Sequence, residues 1–246
     1  RLDAALRSLS ALSAPPAPYA AGVDDEAVTL FLSRPMPQAP RPWRARREGR
    51  IWVLARDAVV TAPDEPARVG TGLVTLGRDE RGTDVLIDLS LVDGDVAVNG
   101  APTMAAEVIA ALALELCTNP WSRDADVVGT GLSATLHGVA GRRLQTPESL
   151  MGQAALPGVG GVLTGRRPET QTTFMLIGNG ATPPPLPPGR SYALVRTDSN
   201  RQGRWTIEID ASGTARIFPL GIMVTASRAT EAEIAALEGL FAPVEE

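Results

Sequence analysis

The feature that most constrains this chain is a strand-like run, Val96–Asn99, that reaches Gly100 and passes at once into a helix-like run, Met104–Cys117. That order is the lead-in to a Walker A loop, G-x-x-x-x-G-K-[ST]. There the second glycine admits phosphate, the lysine meets the β/γ-phosphates and the hydroxyl holds Mg²⁺. Setting the template on Gly100 places Ala105 at the second glycine, Ala106 at the lysine and Glu107 at the hydroxyl. No shift of register restores the chemistry, because all 23 basic residues are arginine. Gly100, Thr103, Ala105, Ala106 and Glu107 therefore form a vestigial loop. Thr103 is the expected N-cap, and Glu107 in the first turn suits the helix dipole but repels phosphate.

A second template fails in the same way. Phe174–Asn179, FMLIGN, is a hydrophobic strand of the Walker B kind, with Gly178 and Asn179 where a metal-binding acid and a water-activating acid would stand. No G-x-S-x-G occurs, and the single histidine, His137, has no partner at triad or metal-ligand spacing and reads as a loop residue. The aspartates at 79, 84, 88, 93 and 95 fall in or beside hairpin turns, where turn chemistry accounts for most of them. Cys117 is the only cysteine, on an apolar helix, and reads as a small buried hydrophobe without disulfide or zinc partners. The expectation is no enzyme activity, no catalytic residue, no cofactor and no metal.

Helical spacing of Leu2, Leu6, Leu9 and Leu12 predicts a short amphipathic helix ending before Pro15-Pro16. Strands follow at Val28–Leu32 and about Ile51–Arg56, so residues 1–60 read as a small α+β unit. Residues 61–72, rich in proline, glycine and charge, read as a linker. Residues 73–246 read as one α/β domain. It opens with a hairpin, Leu73–Leu76 and Val85–Leu89, about the turn Asp79-Glu80-Arg81-Gly82. Further strands are expected at Val127–Gly129, Phe174–Ile177, Tyr192–Val195, Trp205–Asp210 and Ala215–Phe218, and the capping box Thr230/Glu233 opens a last helix.

Net charge −5 argues against a large phosphate-neutralising surface. The densest basic segment, with Arg41, Arg44, Arg46, Arg47 and Arg50 beside Trp43 and Trp52, is either a nucleic-acid or acidic-lipid patch or, the favoured reading, a hairpin with a solvated basic face. Pro185, Pro188 and Arg190 fit P-x-x-P-x-R, although a rigid surface loop is the favoured reading. No apolar run reaches the ~18 residues of a spanning helix. The chain reads as part of something larger, with any membrane attachment through flanking segments.

Two resemblances join these readings. VTLGRDERGTDVLIDL, then VAVNG and a helix, FMLIGN, YALVRTD and WTIEID, in that order, resemble the motor domains of the FtsK/SpoIIIE type. The resemblance implies a RecA-like, P-loop-like sheet with flanking helices, and it transfers no ATPase activity. LGRDERGTDVLIDL, ALALELCTNPWS and GRWTIEIDASGTARIFPLGIMVTASRAT resemble a region of actinobacterial membrane-anchored proteins with LysM or bacterial transcriptional activator (BTAD) domains. No catalytic residue carries over from that resemblance; the ordered loss of both Walker chemistries points to a pseudo-NTPase scaffold on the cytoplasmic side of a membrane-anchored protein, binding a protein partner, nucleic acid being the less expected one. A regulatory domain that binds a nucleotide or anion without hydrolysis, or a DNA-binding regulator region, is the alternative.

Overall fold

The computed structural model describes residues 1–92, 95–155, 172–178, 180–184, 191–197 and 205–241. The sequence folds as a mixed α/β protein on one mixed sheet. Helix α1 (Leu2–Ser10) precedes strands β1 (Pro18–Val23), β2 (Ala27–Leu32), β3 (Arg44–Arg46), β4 (Ile51–Ala55), β5 (Leu73–Arg78), β6 (Asp84–Asp88) and β7 (Asp95–Asn99). Helix α2 (Pro102–Thr118) leads to β8 (Asp126–Thr130), α3 (Ala134–Ala140), β9 (Leu144–Gln145) and α4 (Pro147–Ala155). The chain ends with β10 (Thr172–Ile177), β11 (Ser191–Thr197), β12 (Trp205–Ile209), β13 (Thr214–Phe218), β14 (Ile222–Ala226) and α5 (Glu231–Phe241).

Across the sheet the order is β3-β4-β2-β1-β6-β5-β14-β13-β12-β7-β11-β10-β8-β9. Pairing is antiparallel from β3 to β12 and parallel from β12 to β9. The pairs β1–β2, β3–β4, β5–β6, β12–β13 and β13–β14 are sequential antiparallel neighbours, and the parallel neighbours β8 and β9 are joined through α3, the longer connection that parallel strands need. Strands of residues 1–60 and of 73–246 thus share one sheet, joined where Ala21 of β1 meets Leu86 of β6.

Alternation decides what each face covers. In β2 and β4 the residues Val28, Leu30, Leu32, Trp52 and Leu54 are buried under Leu2, Ala5, Leu6 and Leu9 of α1. The 61–72 segment is part of this layer: Ala67 and Val69 are buried, and Ser10 Oγ accepts the Arg68 and Val69 N–H groups at 2.8 and 3.2 Å. The second and larger core lies between α2 and the sheet, with Val108, Ile109, Leu112 and Leu116 against Val96, Val98, Phe174, Val195 and Ile207.

Two acids within these layers serve the backbone. Between Thr75 and Gly77 β5 bulges against β6, and a bulge leaves ladder groups without a partner. Glu115, the acid near the end of otherwise apolar α2, accepts the Thr75 N–H, and burial pushes its carboxyl up. Asp88 accepts the Ser90 N–H at 2.9 Å and the Ser90 hydroxyl at 2.5 Å. Burial raises its pKa to about 6 against those hydrogen bonds.

Candidate functional site

The vestigial loop lies where the parallel strands end, the edge at which open α/β sheets hold ligands. β7 finishes at Asn99 and α2 begins at Pro102, so only Gly100 and Ala101 connect them. Gly100 has φ 153°, and a Cβ there would stand 2.7 Å from the Ile209 carbonyl oxygen. Glycine is needed for the close approach of β12 rather than for phosphate. Ala101 is the N-cap and Pro102 the first helical residue, a position proline suits because its N–H would go unused. Thr103 is therefore not the N-cap: the helix starts two residues earlier than its hydroxyl suggests, and the side chain is exposed. Ala105 is buried in the main core, and its N–H bonds to the Ala101 carbonyl at 3.0 Å.

Glu107 is held by the C-terminal segment. Arg228 donates to its carboxylate at 3.1 Å, and its backbone carbonyl accepts the Ala229 N–H at 3.0 Å. From there α5 runs against α3 with Ile234 buried, opened by the capping box of Thr230 and Glu233. These hydrogen bonds keep the exposed Glu233 carboxyl below its usual range.

The strand of the second template, β10, is closed more tightly. Gly178 donates its N–H to the Thr130 carbonyl at 2.8 Å. A Cβ at Gly178 would lie 2.1 Å from the Gly131 carbonyl oxygen, so no side chain fits where a metal-binding acid would stand. Asn179 lies outside the described residues, as do Pro185, Pro188 and Arg190.

What remains between these elements is a crevice of about 180 Å³. It is lined by Thr103, Glu107, Gly131, Ser133, Gly178 and Glu231 together with apolar residues. Pockets for small molecules run to roughly 300–1,000 Å³, so this crevice is smaller than that range. Ser133 is occupied as the N-cap of α3, accepting the Leu136 N–H at 3.2 Å. The structure brings Thr103, Ala106 and Glu107 to one rim and Gly178 to the other, and sends Ala105 into the core.

The remaining sequence candidates are spread out. His137 is on helix α3, not in a loop. Cys117 is half-buried, and burial raises its thiol to about 11, where it stays protonated. Among the described residues no cluster of three His, Cys, Asp or Glu could hold a metal, and no helix is long and apolar enough to cross a membrane. Arg196, nearly buried, pairs with Asp95 on the neighbouring strand β7. Arg44, Arg46, Arg47 and Arg50 lie on the β3–β4 hairpin and Arg41 just before it, all exposed. No family model, no curated protein and no solved structure matches the chain.

Proposed function

We propose that this chain is a non-catalytic, NTPase-like scaffold: a RecA-like sheet that serves binding or assembly of a protein partner. The single observation that carries the reading is the order of the parallel strands, β12-β7-β11-β10-β8. The FtsK/SpoIIIE resemblance implies a RecA-like sheet holding a strand that enters the phosphate loop, a strand ending in an acidic pair and a sensor-bearing strand. Here β11, containing YALVRT, separates β7 from β10, containing FMLI. On that frame the chemical positions are absent and sterically closed: a two-residue turn at Gly100, a salt-bridged Glu107 and a Gly178 with no room for a side chain.

A place on the cytoplasmic side of a membrane-anchored protein belongs to the same proposal and rests on the resemblance to the LysM/BTAD-containing proteins. The test is enzymatic and calorimetric. Purified chain should hydrolyse neither ATP nor GTP and release no heat with a nucleotide panel at millimolar concentration. Turnover that disappears on a Thr103 substitution overturns the scaffold reading, and saturable heat without turnover replaces it with a regulatory nucleotide site.

A further inference from the structure

The strongest unassigned surface is at the far end of the sheet from the crevice. Six arginines, at 34, 41, 44, 46, 47 and 50, occur within residues 34–50 against one acid, Glu48. That segment carries +5 while the whole chain carries −5, so the rest of the molecule carries −10. All six are exposed, and none takes part in a side-chain hydrogen bond or ion pair among the described residues. Arg7, Arg78, Arg196 and Arg228, by contrast, are each salt-bridged.

Their backbone is held rigidly. Trp52 Nε1–H donates to the Met36 carbonyl at 2.8 Å, Met36 N–H to Gly49 at 2.9 Å, and Leu32 N–H to Arg50 at 2.9 Å. The turn places Arg47 and Glu48 at φ 46° and 56°, left-handed values that cost non-glycine residues about 1 kcal/mol or more each. Gly49 closes it, because a Cβ there would lie 2.3 Å from the Met36 backbone. Prolines 35, 37, 40 and 42 stiffen the approach. On this side of the contact, binding would immobilise side chains alone, which lowers its share of the entropic cost.

Strand β3 ends the sheet, so one edge of Arg44–Arg46 has no neighbour among the described residues. Arg44 and Arg46 stand on the same face, about 6.6 Å apart along the strand. The alternate residues of a strand laid on that edge have the same spacing, and cross-strand neighbours of opposite charge attract while like charges repel. A second β3 edge would bring arginine to arginine, so the edge rejects its own copy.

We infer that the free edge of β3 accepts an acidic extended segment of a partner protein as an added strand, its alternate carboxylates opposite Arg44 and Arg46. A short acidic strand touches the basic patch alone. A nucleic acid long enough to bind tightly would run onto surface that is net negative. The inference names the partner class for the scaffold reading but stands on the edge and not on the Gly100 turn. Nucleotide turnover would thus remove that reading and leave this result untouched.

The probe is a fluorescent nine-residue peptide alternating glutamate and threonine, read by anisotropy against the full chain. Expected are saturable binding that weakens between about 50 and 200 mM salt, loss of at least about tenfold in Arg44→Glu/Arg46→Glu, and an unchanged Arg81→Glu control. The glutamine–threonine peptide should not bind. A glutamate peptide with N-methylated alternate amides should bind at least about tenfold more weakly, since it cannot add to the edge. Thermal unfolding checks that the double variant is folded. No binding up to about 1 mM, an unaffected double variant, or equal binding of the N-methylated peptide each overturns the inference. Tighter binding of an oligothymidylate or of anionic vesicles, lost in the double variant, overturns it in favour of a phosphate surface.

Discussion

Asp88 should make this protein more stable at mildly acidic pH than at neutrality, and Asp88→Asn should remove that gain. The carboxyl is 2% exposed, and burial raises its pKa from 3.8 to about 6. The folded chain therefore keeps a proton that the unfolded chain gives up. Stabilisation from the neutral carboxyl is full below pH 3.8 and is lost as pH rises through about 6. A shift of roughly 2 pKa units corresponds to about 3 kcal/mol. In a chain of this length each kcal/mol moves the midpoint by roughly 2–4 °C. Asparagine keeps an oxygen for Ser90 and has nothing to titrate, so the difference between the two proteins isolates this one group. Urea unfolding at about pH 4, 5, 6 and 7.5 should show wild type losing about 3 kcal/mol relative to the variant across the series. A difference constant within about 0.5 kcal/mol would mean that Asp88 ionises as if solvated, and the account of a buried, neutral Asp88 held by Ser90 would fail.

Gly178→Asp, which restores an acid to β10, should destabilise by about 3 kcal/mol by chemical denaturation, because its Cβ meets the Gly131 carbonyl; it should bring no Mg²⁺-dependent nucleotide turnover. Glu115→Ala strands the Thr75 N–H and should cost about 1–3 kcal/mol, whereas Glu115→Gln should recover most of that loss in the same assay. Ile234 is the main buried anchor of α5; Ile234→Ala should cost about 2–4 kcal/mol and speed amide exchange over residues 231–241 far more than over α2. Arg228→Ala should shift stability by less than about 1 kcal/mol, since its pair with Glu107 is partly exposed. A larger loss would make that ion pair, rather than Ile234, the main tie of the C-terminal segment.

Legibility followed periodicity. The three-to-four spacing of Leu2, Leu6 and Leu9 located α1, and the turn at Asp79–Gly82 located the β5–β6 hairpin within two residues at each end. β1 went unread because PYAAGV opens on proline and offers small side chains where alternation would show. β14 was missed behind Pro219 and Gly221, and its inward and outward residues, Val224 and Met223, are both apolar. Helix α3 holds Gly138 and a single turn of apolar spacing, so His137 read as loop. Thr103 misled because a hydroxyl is the stronger cap signal, yet Pro102 settles better at the first helical position. Asp88 and Glu115 were visible as letters but not as roles: the Thr75 N–H that Glu115 satisfies lies forty residues away at a bulge, and the burial that shifts Asp88 comes from the packed sheet and not from its local turn with Ser90.

The closures at the crevice differ in kind, and together they argue against a site that is merely empty. A nucleotide cradle needs several backbone N–H groups converging on one point, whereas the two-residue turn supplies Ala101 as cap and a proline without an N–H. It needs cationic surroundings, yet the rim carries Glu107 and Glu231 while Arg228 is engaged with Glu107. It also needs an acid at the end of β10, where the backbone of Gly131 leaves no space. Changing one residue type at a time, as in Ala106→Lys, repairs only the second of these. The first requires inserted residues and the third a moved loop. Chemistry could therefore return only through changes of backbone length, whereas the strand order depends on none of these positions. On the scaffold proposal, that separation is what would let such a sheet keep its strand order without the loop chemistry.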